Sequence, residues 1–251
     1  MSGAPARVLD AHFHVFDPAH ALPGDGGYQP PAFDAAQYRA AVAPLGVRAG
    51  VLVAASTHGL DPAPLLAALA QLGPGHVAVA AADPAMDDAA LRALAAGGVR
   101  GLRFILYRGA GMALDAALDL ADRAHAVAGL HAQFYADAAQ LAPALPRLTR
   151  MADRLVIDHL GMTEAGLPVV LALAEAGAKV KATGFGRVEL DVVPALRRIF
   201  AVAPGALLFG TDLPSTRARR PFEVADMALL RDIAGDAPFW ENGASFYGVD
   251  G

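Results

Sequence analysis

Asp10-Ala11-His12-Phe13-His14-Val15-Phe16-Asp17-Pro18 follows directly on the apolar pair Val8-Leu9, and the way this first strand ends separates two α/β folds. A doubly wound open sheet usually carries a glycine-rich phosphate loop at this point. Here the strand ends in His-Phe-His instead. Residues two apart on a strand point to the same side. Asp10, His12 and His14 are therefore expected to share the interior of a closed sheet, with both histidines near its carboxyl end. Two imidazoles on adjacent inward positions suit either a divalent metal or polarisation of a carbonyl oxygen.

Downstream, short β-branched or apolar runs alternate with longer alanine/leucine segments of helical period. Strands are expected to begin near Val8, Val47, His76, Val99, Leu130, Arg154, Ala178 and Ala206. Successive starts lie 23 to 39 residues apart, about one βα unit of a barrel. Residues 61–72, 87–96, 115–128, 138–151, 163–176 and 190–202 read as helices. Several of these open with Asp or Thr, residues that cap a helix start. The expectation is an α/β fold, a (β/α)8 TIM barrel forming a single domain over residues 1–251. The Gly/Pro-rich loop 24–31 is placed to reach over the barrel mouth.

The composition narrows the chemistry. Hydrophobic residues make up 55% of the 251, enough for a large core. Cysteine is absent, which removes disulfides, thiolate metal sites and cysteine nucleophiles. A net charge of -5 argues against a general nucleic-acid binder, which needs a basic face to neutralise phosphates. No apolar run approaches the roughly 18 residues of a membrane span. The amino terminus runs almost directly into a strand without an apolar secretory core, so a cytoplasmic location is expected. Lys179 and Lys181 are the two lysines.

Two further strand ends carry proton-handling groups. Leu155-Val156-Ile157-Asp158-His159-Leu160-Gly161 stops abruptly in Asp-His-Leu-Gly at the sixth strand, aiming His159 at the mouth. Leu207-Leu208-Phe209-Gly210-Thr211-Asp212-Leu213-Pro214-Ser215 does so at the eighth. Asp212 is suited to hold a metal or to accept a proton from an attacking water. Strands one, six and eight thus converge on one rim, where the catalytic groups of such barrels sit.

The fourth strand brings a cation inside. Arg103 lies in the apolar run Gly101-Leu102-Arg103-Phe104-Ile105-Leu106-Tyr107-Arg108, where an unpartnered charge is costly. Arg108 flanks its end, and Arg187 follows the seventh strand. Guanidinium groups that converge on a pocket bind carboxylates through paired hydrogen bonds. Ser56, His58, Gln133 and Tyr135 are further rim candidates. Arg217, Arg219 and Arg220 form either a solvated helix start or an attractor for an anionic substrate.

Together these motifs resemble the amidohydrolase superfamily. They are most similar to its branch of 2-pyrone-4,6-dicarboxylate lactonases and related sugar-lactone and sulfomuconolactone hydrolases. The resemblance spans essentially the whole chain: Asp-x-His-x-His-x-Phe, Gly-x-Arg-Phe, Asp-His-Leu-Gly, Gly-Thr-Asp-x-Pro, and Asn242-Gly243-Ala244-Ser245-Phe246-Tyr247-Gly248 near its end. It implies that His12, His14 and His159 polarise a lactone carbonyl while Asp212 activates water. It also implies that Ser56, Arg103, Arg108, Tyr135 and Arg187 hold substrate carboxylates. Two departures bear on the substrate: the Arg103–Arg108 spacing is one residue short, and Ser-Thr-Arg-Ala-Arg-Arg after Asp212 differs from the pyrone enzyme's pattern.

Binuclear members of that superfamily use a lysine after the fourth strand and a histidine after the fifth. Here Gln133 and Tyr135 occupy the fifth-strand region, and His131 lies too early. No required cofactor and no metal are expected, with one zinc on His12, His14, His159 and Asp212 as the alternative. The expected function is hydrolysis of a small carboxylated lactone. A lactone isomerase, a decarboxylase and a non-catalytic dicarboxylate-binding protein are the rivals. The expected partner is a small anionic lactone or carboxylate, with no nucleic acid and no membrane. The sequence does not decide whether the chain forms a homo-oligomer.

Overall fold

The apolar runs become eight strands: β1 (Val8–Phe13), β2 (Val47–Val53), β3 (His76–Ala81), β4 (Val99–Ile105), β5 (His131–Tyr135), β6 (Leu155–Ile157), β7 (Lys179–Ala182) and β8 (Leu207–Phe209). They pair in parallel and in chain order, β1 beside β2 through to β8, in one sheet. The computed structural model describes residues 7–107 and 111–249. Beyond the ladder, β8 returns to β1: the Asp212 N–H donates to the His12 carbonyl at 2.7 Å and the His14 N–H to the Leu213 carbonyl at 2.8 Å. The sheet is thereby a nearly closed barrel. Gly210 makes this approach possible, because a Cβ there would stand 2.8 Å from the His12 nitrogen.

Helices alternate with the strands: α1 (Ala35–Val42), α2 (Ala63–Leu72), α3 (Asp88–Ala96), α4 (Leu114–Ala128), α5 (Leu145–Arg150), α6 (Leu167–Glu175), α7 (Val192–Val202), α8 (Val224–Ala234) and α9 (Glu241–Tyr247). Asp34, Asp87 and Asp191 cap α1, α3 and α7 by accepting from backbone N–H groups of the first turn. The expected helix over 138–151 is split. Ala138–Ala144 winds as a 3-10 helix containing Pro143, and α5 begins after it with Pro146 in its first turn. Pro143 supplies no N–H to an α-helical ladder.

Two apolar layers result. Outward-facing side chains such as Leu52, Ala78, Leu102, Phe104, Ala132 and Phe134 pack under the helices. Inside the barrel, Leu9, Val51, Val53, Val77, Val79 and Leu208 meet Trp240 and Tyr247, so α9 plugs the amino-terminal end. Asn242 anchors that plug by donating to the carbonyls of Pro204 and Leu207 at 3.2 and 2.9 Å. The other end of the barrel is charged. No helix among the described residues is long and apolar enough to cross a membrane.

The β1–β2 register shifts twice, first between Val8 and Leu9, where β2 advances from Val47 to Ala49, and again further along. The second shift lies between Asp10 and Phe13, while β2 advances from Gly50 to Leu52. This bulge puts an extra residue in β1. His12 and His14 face inward as expected. Asp10 turns outward instead: its carboxylate accepts from the Tyr38 hydroxyl of α1, and from the N–H and hydroxyl of Thr211 at 2.9 and 2.7 Å. Asp10 is a clasp between β1, β8 and α1.

Candidate active site

At the carboxyl end of the strands, β1, β4, β6 and β7 fill the interior with His12, Arg103, Asp158 and Lys181, all buried. Arg103 solves its burial through Asp158: its Nε donates to Asp158 Oδ2 at 2.9 Å, and Nη1 donates to the Ala54 carbonyl at 2.9 Å. Asp158 Oδ1 lies 3.3 Å from His12 Nδ1 and 3.9 Å from Lys181 Nζ. Burial works to raise the Asp158 carboxyl, but Arg103 and then His12 hold it well below the carboxylate range. Burial brings the Lys181 ammonium down to about 7, against the attraction of Asp158.

The four expected reactive groups meet above this layer. The His12 ring centre lies 5.0 Å from that of His14 and 4.8 Å from that of His159. Asp212 Oδ1 faces His14 Nε2 at 3.5 Å and His12 Nε2 at 3.7 Å. His159 and Asp212 both take left-handed backbone angles, φ 47° and 57°, at the strand-to-loop turns. Such angles are uncommon outside glycine and concentrate at functional turns. His159 Nδ1 is fixed on the Thr183 hydroxyl at 2.6 Å, and Gly184 leaves room for the ring.

Burial keeps the imidazoles neutral. It pushes His12 well below its usual value, helped by Lys181; it lowers His14; and it lowers His159 to about 3. His14 Nδ1 stands 2.7 Å from the Val53 carbonyl, which only accepts, so this nitrogen carries the proton. The Nε2 of His14 is then a lone pair directed at Asp212. His12 Nε2 and Asp212 Oδ1 are buried with no hydrogen-bond partner in the protein. One carboxylate oxygen and two ring nitrogens converge here, a set of polar atoms suited to one water, one substrate oxygen or one cation.

His12, His14 and Asp212 bring their donor atoms within 4.8 Å of one another, and so do His12, Asp158 and His159. The first set fits a single divalent ion, since it combines a lone pair with two orphaned atoms. The second fits less well, because Arg103 and Lys181 already neutralise Asp158.

Arg187 is not directed at open space. Its Nε and Nη2 both donate to Asp212 Oδ2, at 2.8 and 2.5 Å. Burial alone would raise the Asp212 carboxyl; Arg187, followed by His159, outweighs it and places the group below the carboxylate range. Tyr135 lines the same pocket, its ring edge-on to His159 and 4.7 Å from the Arg103 guanidinium. Ser56 lines it too, donating to Asp25 at 2.8 Å. Arg108 lies outside the described residues. His58 is structural: Nδ1 accepts from the Ala55 N–H and Nε2 donates to the Val15 carbonyl.

Loop 24–31 reaches the mouth, where Tyr28 lines the pocket that also contains His14 and His159. Asp25 binds Arg217 Nη1 at 2.7 Å, and the Arg217 guanidinium sits 4.3 Å from the Tyr28 ring centre. Arg220 pairs with Asp226 at 2.8 Å. Much of the basic cluster is thus neutralised locally.

Residues 9–249 match the family model described as amidohydrolase. The chain belongs to the amidohydrolase family. This amidohydrolase is 28% identical to a 2-pyrone-4,6-dicarboxylate hydrolase of Comamonas testosteroni, over 91% of this chain and 83% of the relative. It is 26% identical to a D-galactarolactone isomerase of Agrobacterium fabrum, over 91% and 84%. An apo crystal structure of an Agrobacterium tumefaciens protein shares its fold with a TM-score of 0.83, at 24% identity, over 98% and 97% of the two chains.

Asp158 and Lys181 were not assigned roles from the sequence. Lys181 had a readable signal: a lysine between Val180 and Ala182 in a short buried strand must find a buried anion. Asp158 had one too: a carboxylate directly after the buried run Leu155-Val156-Ile157 must find a buried cation.

Proposed function

We propose that this amidohydrolase opens the ring of a small anionic lactone by hydrolysis. The observation that carries the reading is the convergence of Asp212 Oδ1, His12 Nε2 and His14 Nε2 on one point, with 3.7 and 3.5 Å from the carboxylate oxygen to the two nitrogens. A water held there is within reach of two acceptors, Asp212 and the His14 lone pair, and is aligned for deprotonation. It adds to the lactone carbonyl carbon as its proton passes to Asp212. The charge growing on the carbonyl oxygen is met by His12 and by His159, in a site that excludes most water. Collapse expels the ring oxygen, which takes the proton back and leaves a hydroxy acid.

Substrate carboxylates are assigned to Arg103, Arg108 and Arg187, with Ser56 and Tyr135 beside them. The lactone-acting relatives support this reading. A single divalent cation on His12, His14 and Asp212, when bound, supplies Lewis-acid polarisation and a more acidic water. Isomerisation is the second reading, favoured by the D-galactarolactone isomerase relative. There the substrate's own hydroxyl replaces water as the nucleophile.

The test is a panel of carboxylated lactones incubated with protein of measured metal content, with chelator and with added zinc, and followed by NMR. Ring-opened hydroxy acid is expected. A shifted ring of unchanged mass identifies isomerisation. No turnover of any anionic lactone in either metal state overturns both readings.

A further inference from the structure

We infer that the substrate carries an apolar substituent beside its carboxylate, and that this substituent lies in a second cleft next to the reactive pocket. The inference rests on the lactone reading and narrows it. The free space bounded by His14, His159, Tyr135 and Arg187 is about 30 Å3, room for only a few waters. A cleft of about 430 Å3 opens beside it, within the range of ligand-sized sites. The two spaces share Ser56 and Arg103. A ring that reaches the histidines must therefore extend toward this cleft.

The walls of the cleft state what it takes. They include Leu60, Ala82, Pro84, Leu106 and Met112. Its charged lining groups, among the described residues, are Arg103 at the junction and Asp25 at the rim. Asp25 is committed to Arg217 and Ser56. Leu60 is 51% exposed, one of three large apolar side chains so exposed among the described residues. A ligand that covers it removes apolar surface from water. At the junction, Arg103 uses Nε and Nη1 on Asp158 and Ala54, which leaves Nη2 for a ligand anion. Carboxylate at Arg103, alkyl or aryl group along Leu60 and Met112: this is the arrangement the cleft fits, rather than a compact dianion.

Binding of acetate, butanoate, hexanoate and 4-phenylbutanoate to the full-length protein, by titration calorimetry, tests this without turnover. Affinity is expected to rise up to about fourfold per methylene along the series. Leu60→Asn at the exposed rim and Ala82→Phe on the wall should each flatten the series and leave acetate unchanged. A flat series in the unmodified protein, or a steep one that survives both variants, overturns the inference. Lactone turnover measured alongside separates the two claims. If a compact carboxylated lactone is opened but the series is flat, the cleft assignment falls and hydrolysis stands. If no lactone is opened but the series is steep and depends on Leu60 and Ala82, the cleft stands and the ring-opening reading falls.

Discussion

Arg187 places both of its hydrogen bonds to Asp212 on a single oxygen, Oδ2, and leaves Oδ1 to the histidines. The carboxylate is thereby oriented, and its charge is partly spent on the guanidinium. A carboxylate so paired is a weak base, so a substrate anion that drew Arg187 away would strengthen Asp212 at the moment of binding. Arg187→Gln is expected to lower kcat/KM about a hundredfold, the scale of one lost charge-assisted contact in a site closed to water. Arg187→Lys should recover little, because an ammonium cannot reproduce the fork. Steady-state kinetics on any turned-over lactone decides it, and a wild-type kcat/KM in Arg187→Gln contradicts the role.

Asp212→Asn is expected to lose turnover while keeping affinity for substrate. The amide retains the shape and accepts from Arg187 through its oxygen, but it takes no proton from water. Binding without turnover, read by calorimetry and product analysis, is the expected pair of results. Turnover within tenfold of wild type would remove Asp212 as the base.

Asp10 was expected inside the barrel and instead holds its seam. Its carboxylate collects the Thr211 N–H and hydroxyl, the Tyr38 hydroxyl and the His12 N–H. Asp10→Ala leaves several buried donors unpaired, at about 1–3 kcal/mol each when no water replaces the acceptor. A loss of at least about 3 kcal/mol in urea unfolding is expected. Asp10→Asn should cost less, since the two hydroxyls can rotate to accept from an amide.

That misplacement shows where a sequence stops being readable. All eight strand starts lie within one residue of their expected positions, because β-branched runs such as Val47–Val53 carry their own signal. A bulge has none: Asp10 and His12 keep their spacing in the sequence, and the extra residue is seen only against Gly50 and Leu52 of β2. Helices α1, α8 and α9 were also not expected. Glu241–Tyr247 contains Asn242, Gly243 and Ser245, poor helix formers, and is held by Tyr247 in the barrel floor. Strand ends announced His12, His14, His159 and Asp212 because polar residues there break apolar runs. The bond from Arg187 to Asp212 joins two loops and is written in neither.

Part of the acid sensitivity should trace to buried neutral histidines outside the reacting set. Burial lowers His131 to about 3 and His58 to about 4, from an unfolded value near 6.5. The unfolded chain binds protons at these positions first as pH falls. Stability is therefore complete above about 6.5 and declines from there toward the folded values, by about 1 kcal/mol per pH unit per histidine. His131 packs on Phe246 and Tyr247. His131→Phe should make the decline between pH 6 and 4 shallower, as followed by urea unfolding at each pH. An unchanged slope would show that His131 is not held neutral.

Lys181 separates two ways of using His12. Its Nζ stands 3.3 Å from His12 Nδ1, and Asp158 Oδ1 stands at the same distance from that nitrogen. If Lys181 donates, Nδ1 is an acceptor and Nε2 carries a hydrogen toward the reacting oxygen. Without Lys181, Nδ1–H turns to Asp158 and Nε2 becomes a lone pair, the form that ligates a cation. Lys181→Met keeps most of the buried volume and removes one positive charge. It is expected to lower kcat about 10- to 100-fold with little change in KM, the scale of losing a supporting contact behind a reactive ring. The same variant should bind zinc more tightly, measured by chelator competition, because repulsion falls and the ring presents the right tautomer. Equal zinc affinity together with unchanged kcat would mean that Lys181 only fills space beside Asp158.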